Sequence, residues 1–197
     1  MNDWNVTPIL TGAHVCLVPL QPGHASAVGE AASDGELWRT RYTSVPSPVT
    51  AAAYIDKALA MQAAGTALAF AVLDAAGVVV GSTRYYALDP AAPRVQIGYT
   101  WYARRVQRTG VNTEAKLLLL QHAFDVLDCI SVGFETSTLN DASRNAIARL
   151  GAQQEGVLRS HMRHADGSVR DTVAFSIIRS EWPSVQRHLR AKLEKAP

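Results

Sequence analysis

A mixed α/β fold with a partly antiparallel sheet is predicted by three features of the chain. Short β-rich runs alternate with helical runs from one end to the other. Turn signals, Asp74-Ala75-Ala76-Gly77 and Asp166-Gly167, join neighbouring β runs into hairpins. A half-buried strand pattern, VQIGYTWY, leads through a glycine-containing loop into a leucine-rich helix. The 197 residues, 48% hydrophobic and 18% charged, fit a single domain over 1–197 with a sizeable core.

Residues 15–20 (VCLVPL) read as a first strand, and Pro19 favours an edge position. A small-residue helix is expected over 23–32 and a loop over 39–48. Thr50 is placed to cap a helix over 51–64 that Gly65 ends. Residues 68–73 and 78–86 form the first hairpin, and 89–93 (DPAAP) turn into the strand 95–102. There Val95, Ile97, Tyr99 and Trp101 alternate with Gln96, Gly98, Thr100 and Tyr102. The helix over 113–127 is apolar around too wide an arc for a surface helix, so it packs on the sheet. A strand over 130–136 comes next. Asn140 caps a helix over 141–150 that Gly151 closes. Residues 157–164 and 168–178 make the second hairpin, and a helix over 181–195 carries Pro183 in its first turn.

Composition removes several classes of function. A net charge of +2 argues against a dedicated nucleic-acid binder. The basic residues are 15 Arg and 4 Lys, a bias that reflects genome composition as much as function. No apolar run approaches the roughly 20 residues of a membrane span. The start, MNDWNVTPIL, lacks a charged segment followed by a long apolar one, so a cytoplasmic protein is expected. Cys16 and Cys129 stand alone on apolar stretches, which predicts two buried thiols and neither a metal site nor a disulfide framework.

The chemistry concentrates at RRVQRTGVNTE, residues 104–114, between the alternating strand and the leucine helix. The first N–H groups of a helix lack partners within it, and its N-terminus carries roughly half a positive charge. Three arginines strengthen that field, so a phosphate-bearing ligand suits the loop. An ordinary loop before a helix is the competing reading. There is no GxxxxGK[ST] and no G-x-G-x-x-G, so neither nucleotide-binding fingerprint is present.

The strand IGYTWYA, the loop QRTGVNTEA, the leucine helix, and Asn140-Asp141-Ala142-Ser143 before Leu150-Gly151 together resemble the GNAT superfamily of acetyl-CoA-dependent N-acetyltransferases. The branch most similar is that of ribosomal-protein-alanine acetyltransferases (RimJ/RimL-like). The resemblance implies a GNAT fold: a mixed central sheet of about seven strands, splayed at the cofactor site, flanked by helices, with an extra C-terminal helix. It implies acetyl-CoA as acyl donor, no metal, and transfer to a primary amine by direct attack on the thioester. In that family the phosphate loop is [QR]-x-x-G-x-[GA]. Gln107 and Gly110 match it, and Asn112 stands where Gly or Ala is usual. The implied CoA contacts are Trp101, Tyr102, Gln107, Arg108, Thr109, Gly110, Val111, Asn112 and Thr113. Asn140 would bond the pantetheine arm, and Ser143 would lie near the sulfur.

Such a transfer needs an amine stripped of its proton, a donor for the oxyanion, and a proton for the departing thiolate. The resemblance places the oxyanion donor on the backbone of residues 100–102 and gives Ser143 the thiolate. It also implies a glutamate where this chain has Met162. The base is therefore sought among His161 and His164, on opposite faces of their strand, and Glu135 on the preceding one; His161 and Glu135 join Ser143 as catalytic candidates. Trp38, Tyr42 and Thr43 are expected to wall the acceptor. Arg159, Arg163 and Arg170 are either a solvated face or a site for an anionic acceptor group. The expected partner is an amine, a small molecule or a protein N-terminus, with no nucleic acid and no membrane; a homodimer is left open. A bacterial cytoplasmic enzyme is the principal reading. A non-catalytic acyl-CoA-binding or sensor module is the alternative, and a nucleotide-binding protein is a third.

Overall fold

The computed structural model describes residues 4–40, 44–164 and 166–195. Its strands are β1 (Leu10–Thr11), β2 (Val15–Pro19), β3 (Ala67–Asp74), β4 (Val79–Asp89), β5 (Arg94–Tyr102), β6 (Ser131–Ser137), β7 (Gln153–Arg163) and β8 (Val169–Ile178). Its α-helices are α1 (Ala25–Ser33), α2 (Ala51–Ala63), α3 (Gly110–Gln121), α4 (Asp141–Ala148) and α5 (Trp182–Leu193). All eight strands form one sheet in the order β1-β2-β3-β4-β5-β6-β8-β7. Neighbours are antiparallel except β5 and β6. A parallel pair needs a long crossover, which α3 supplies.

The mixed α/β architecture agrees with the sequence reading, with one strand added. Leu10–Thr11 is two residues long and pairs only with Leu17 and Cys16, too short to carry a periodic signal. Pro19 lies past that pairing, so its missing N–H costs nothing there. At the β3–β4 hairpin, Asp74 Oδ1 accepts from the N–H groups of Ala76 and Val78, and Gly77 takes φ +76°. Few residues other than glycine adopt that angle readily.

Neighbouring residues of β4 show how the sheet is covered. Arg84 lies over the ring of Tyr54 on α2, while Tyr85 donates to the carbonyl of Leu119 on α3. Successive side chains of a strand face opposite ways, so α2 and α3 sit on opposite faces. The core includes Leu17, Phe70, Val72, Ile97, Leu119, Phe124, Val132 and Ile177, all nearly inaccessible to solvent. α3 begins at Gly110 rather than 113, because Thr109 caps it: its Oγ1 accepts from Val111 N at 3.3 Å. One π-helical turn, His122–Val126, continues it. Cys129 is buried, which pushes its thiol up to about 12, but Cys16 is only half-buried, against expectation.

Candidate active site

The sheet opens where β5 leaves β6. The two strands pair only through Arg94–Ser131, Val95–Val132 and Gln96–Gly133. Beyond that, β5 stays with β4 up to Tyr102, and β6 stays with β8 up to Ser137. A bulge accompanies the opening. The β4–β5 register passes from Arg84–Gly98 to Ser82–Trp101, so β5 spends one residue more than β4 there. Tyr99 carries the strain at φ +51°. Farther along, Ala103 N donates to Val80 O at 2.7 Å. Alternation along a strand then turns the N–H of Tyr102, and of Thr100 two residues earlier, into the gap.

Both faces of the bulge are held by buried cations. On the α3 side, Lys116 Nζ donates to Thr100 Oγ1 at 2.7 Å and reaches Thr83 Oγ1 at 3.5 Å. Thr83 and Thr100 are themselves 2.8 Å apart. Burial pushes the Lys116 amine down to about 7. On the α2 side, the Arg84 guanidinium lies 4.1 Å from the Tyr99 ring centroid and 5.0 Å from that of Tyr54. Its Nη1 lies 3.5 Å from Met61 Sδ, and its Nε has no hydrogen-bond partner among the described residues.

Where β5 ends, the loop to α3 is tied back onto the strand. Gln107 Nε2 donates to Tyr102 O at 2.9 Å, and Thr109 Oγ1 donates to Val106 O at 2.7 Å. Arg108 adopts φ +62°, an uncommon angle for a side chain with a Cβ. Val111 and Asn112, which the sequence reading leaves ahead of the helix, belong with Thr113 to the first turn of α3, where free N–H groups accumulate. Gly110 is buried, and a Cβ there would stand 3.1 Å from the His14 ring, so close packing explains the glycine. The arginines diverge: Arg105 is held by Asp34 and Asp74, whereas Arg104 and Arg108 form no ion pair among the described residues. One turn into α3, the buried Glu114 carboxylate accepts from the N–H groups of Ala13, His14 and Val15 at 2.9, 2.5 and 2.9 Å.

Across the gap, Asn140 Oδ1 accepts from Ser143 N at 3.0 Å, the cap expected from sequence. That bond fixes the first turn of α4 and leaves the half-buried Ser143 hydroxyl beside it. Glu135 is half-buried on β6, and its Oε1 accepts from Gln96 Nε2 at 3.2 Å. Tyr86 lies near it, its hydroxyl pushed up by burial and by the Glu135 charge. His164 Nε2 approaches Ser137 Oγ at 3.4 Å, two residues along β6 from Glu135. His161 is exposed on the edge strand β7, as is Met162. Arg159 and Arg163 are exposed too; Arg170 is half-buried with a buried Nε that lacks a partner among the described residues.

Trp101 is buried and its Nε1 donates to Tyr54 Oη at 3.3 Å, so its ring serves the α2 interface and only its backbone borders the gap. Tyr102 is buried, its hydroxyl without a partner among the described residues and pushed up by burial. Trp38 packs partly against the core in a 3-10 turn; Tyr42 and Thr43 lie outside the described residues. Lys116, Arg84 and Glu114 were not singled out by sequence. A signal existed for the first two, a lone cation inside an apolar run (AKLLLL and VVVGSTRYY).

Residues 14–153 match the Acetyltransferase (GNAT) domain family. YoaA of Bacillus subtilis (strain 168), described as an uncharacterized N-acetyltransferase, is 30% identical over 101 residues, 51% of this chain. That similarity spans 56% of YoaA, little more than half its length. A GCN5-related N-acetyltransferase from Brucella melitensis superposes with a TM-score of 0.86 at 30% identity, covering 98% of this chain and 88% of its own. Mycobacterium smegmatis RimJ, solved in complex with CoA-disulfide, shares the fold with a TM-score of 0.77 at 23% identity over 94% of this chain and 92% of its own.

Proposed function

The chain belongs to the GNAT acetyltransferase family, and from that premise we propose that it moves an acetyl group from acetyl-CoA to a primary amine. The observation that carries this reading is the gap between β5 and β6, opened by the bulge at Tyr99 and flanked by the N-termini of α3 and α4. A thioester laid in that gap has amide donors on one wall and a hydroxyl on the other. The pyrophosphate suits the first turn of α3, where Gly110 and Asn112 present N–H groups on either side of the capped N–H of Val111 and the helix dipole favours an anion. Arg108 and Arg104, without carboxylate partners among the described residues, add positive potential. Gln107 acts by holding the loop to Tyr102 O.

In the proposed reaction the amine nitrogen attacks the thioester carbon. A C–N bond forms as the carbonyl π pair moves to oxygen. Amides of residues 100–102 receive that oxyanion, a form of help worth about 10²–10³-fold per donor in other enzymes. Collapse breaks the C–S bond, and the Ser143 hydroxyl supplies the thiolate with a proton or a hydrogen bond. The proton leaving the amine passes to a base, for which Glu135 and His161 are the candidates. Glu135 is the stronger candidate, because it is half-buried two residues past the last β5–β6 pair and accepts from Gln96, whereas His161 is exposed on β7. Trp38, Tyr42 and Thr43 remain the proposed acceptor wall, and the acceptor is a protein N-terminus or a small amine.

A thiol-release assay with acetyl-CoA against peptides, amino acids, polyamines and aminoglycosides tests this reading. Turnover with at least one amine is expected. Acetyl-CoA binding without thiol release from any of them would favour a sensor module instead, a reading supported by Met162 at the position where the resemblance implied a glutamate.

A further inference from the structure

We propose that Lys116 is a positioning residue for acetyl transfer, holding Thr100 and through it the bulge whose amides face the β5–β6 gap. The inference rests on the acetyl-transfer reading given above.

The core around α3 asks for an apolar side chain at position 116. Its neighbours Ala115, Leu117, Leu119 and Leu120 are all buried hydrophobics, and Lys116 itself is 5% exposed. An amine there loses its hydration and finds no ion-pair partner among the described residues; the closest carboxylate in sequence, Glu114, is engaged with the amides of residues 13–15. What the amine does find is Thr100 Oγ1 at 2.7 Å, with Thr83 completing a three-membered cluster. Thr83 is the β4 residue that faces the extra residue of β5. The cluster therefore bridges the bulge, and an ordinary stretch of sheet would have no use for it.

The alternative to the bulge is a regular ladder. If β5 slipped by one residue there, every side chain beyond it would change faces. The amides now directed into the gap would then turn toward β4. Tyr99 at φ +51° shows that the bulged state carries strain, so it persists only while its surroundings hold it. Arg84 holds Tyr99 from one face and Lys116 holds Thr100 from the other. Arg84 also packs on Tyr54 and has further duties in the core. Among the described residues the Lys116 amine hydrogen-bonds only the hydroxyls of Thr83 and Thr100, so its contribution is the separable one.

The test uses Lys116→Met, Thr100→Val and Thr100→Ser in the full chain. Lys116→Met and Thr100→Val should each lower kcat by roughly 10–100-fold, as small misplacements near reacting atoms do. The KM for acetyl-CoA should stay within about twofold, because the α3 turn that holds the phosphates is untouched. Thr100→Ser, which keeps the hydroxyl, should recover most of the rate. The double variant Lys116→Met/Thr100→Val should be no slower than Thr100→Val alone, since both break one linkage. A folded Lys116→Met enzyme with wild-type kcat overturns the proposal, as does a KM that rises in step with the lost rate. If Lys116→Met does not fold, the Thr100 pair decides in the same way. Amide NMR separates this from failure of the acetyl-transfer reading. Acetyl-CoA should shift the N–H signals of residues 100 and 102 in the wild type, and Thr100→Val should lose those shifts. That result supports the positioning role even if no amine is acetylated; unshifted signals overturn it.

Discussion

The two sides of the sheet, before the gap and beyond it, are built on different principles. The wall formed by β4, β5 and α3 is tied together across long sequence distances. Glu114 gathers three amides about a hundred residues away, Gln107 reaches back to Tyr102, and Lys116 and Arg84 grip the bulge from opposite faces. The far edge of the sheet, β7 and its hairpin with β8, is loose by comparison. β7 is exposed along almost its whole length, and Val157, Leu158 and Met162 face solvent. A preorganised wall suits an invariant donor such as acetyl-CoA, whose geometry never changes. A thinly packed wall suits whatever distinguishes one amine from another, because substitutions there leave the fold untouched.

Glu114→Ala should give the largest effect and is the hardest strain on this contrast. It strands three buried or half-buried N–H groups, which costs about 3 kcal/mol or more. The urea midpoint should fall with an unchanged slope; a loss under about 1 kcal/mol would remove the idea of a tightly bound donor wall. Lys116 makes the same wall pH-sensitive. Its folded pKa of about 7 lies below the unfolded value of 10.5, so the folded state disfavours the proton. Stability from this group is fully present above about 10.5 and is lost as pH falls toward 7, by at most about 1.4 kcal/mol per pH unit. Urea titrations from pH 7 to 9 should show wild-type stability rising relative to Lys116→Met; parallel curves would contradict it. Asn140→Ala removes the cap of α4 and should cost about 1 kcal/mol, with a matching loss of thermal stability. At the far end, His161→Ala on β7 should change stability by less than about 0.5 kcal/mol. Any effect on catalysis should appear in kcat or in the KM for the amine and leave the KM for acetyl-CoA alone. A large stability loss would erase the distinction between the walls.

The contrast also explains what could be read in advance. Hairpins and caps are local, so Asp74, Asn140, Gly65, Gly77 and Gly151 announced them, whereas the strand order rests on long-range pairing. The start of α3 lies three residues before the position read from sequence, because Thr109 rather than Thr113 supplies the cap. Leu10–Thr11 was too short to detect. The bulge at Tyr99 left no mark in VQIGYTWY, whose alternation runs through it unbroken. Glu114, Lys116 and Arg84 acquire their roles from partners far away in sequence, so their residue types alone could mark them as unusual but not say why. The acceptor wall was the least legible, since exposed residues are constrained by the ligand and hardly at all by the fold.

Another irregularity of the sheet bears on the life of the protein in a crowded solution. β7 is the last strand of the sheet, eleven residues long, with an open row of backbone groups. Strands of that kind invite stacking with copies of themselves, and six or seven unbroken apolar residues suffice to seed a fibril. Here the pairing passes from Leu158–Thr172 to Met162–Arg170, four residues of β7 against two of β8. Ser160 takes φ +50° and its N–H is claimed by Asp171 Oδ1 at 2.7 Å. The kink interrupts the row of backbone groups and places Arg159, His161 and Arg163 around the break, two features that discourage edge-to-edge pairing. The exposed edge is thereby a poorer template for copies of itself.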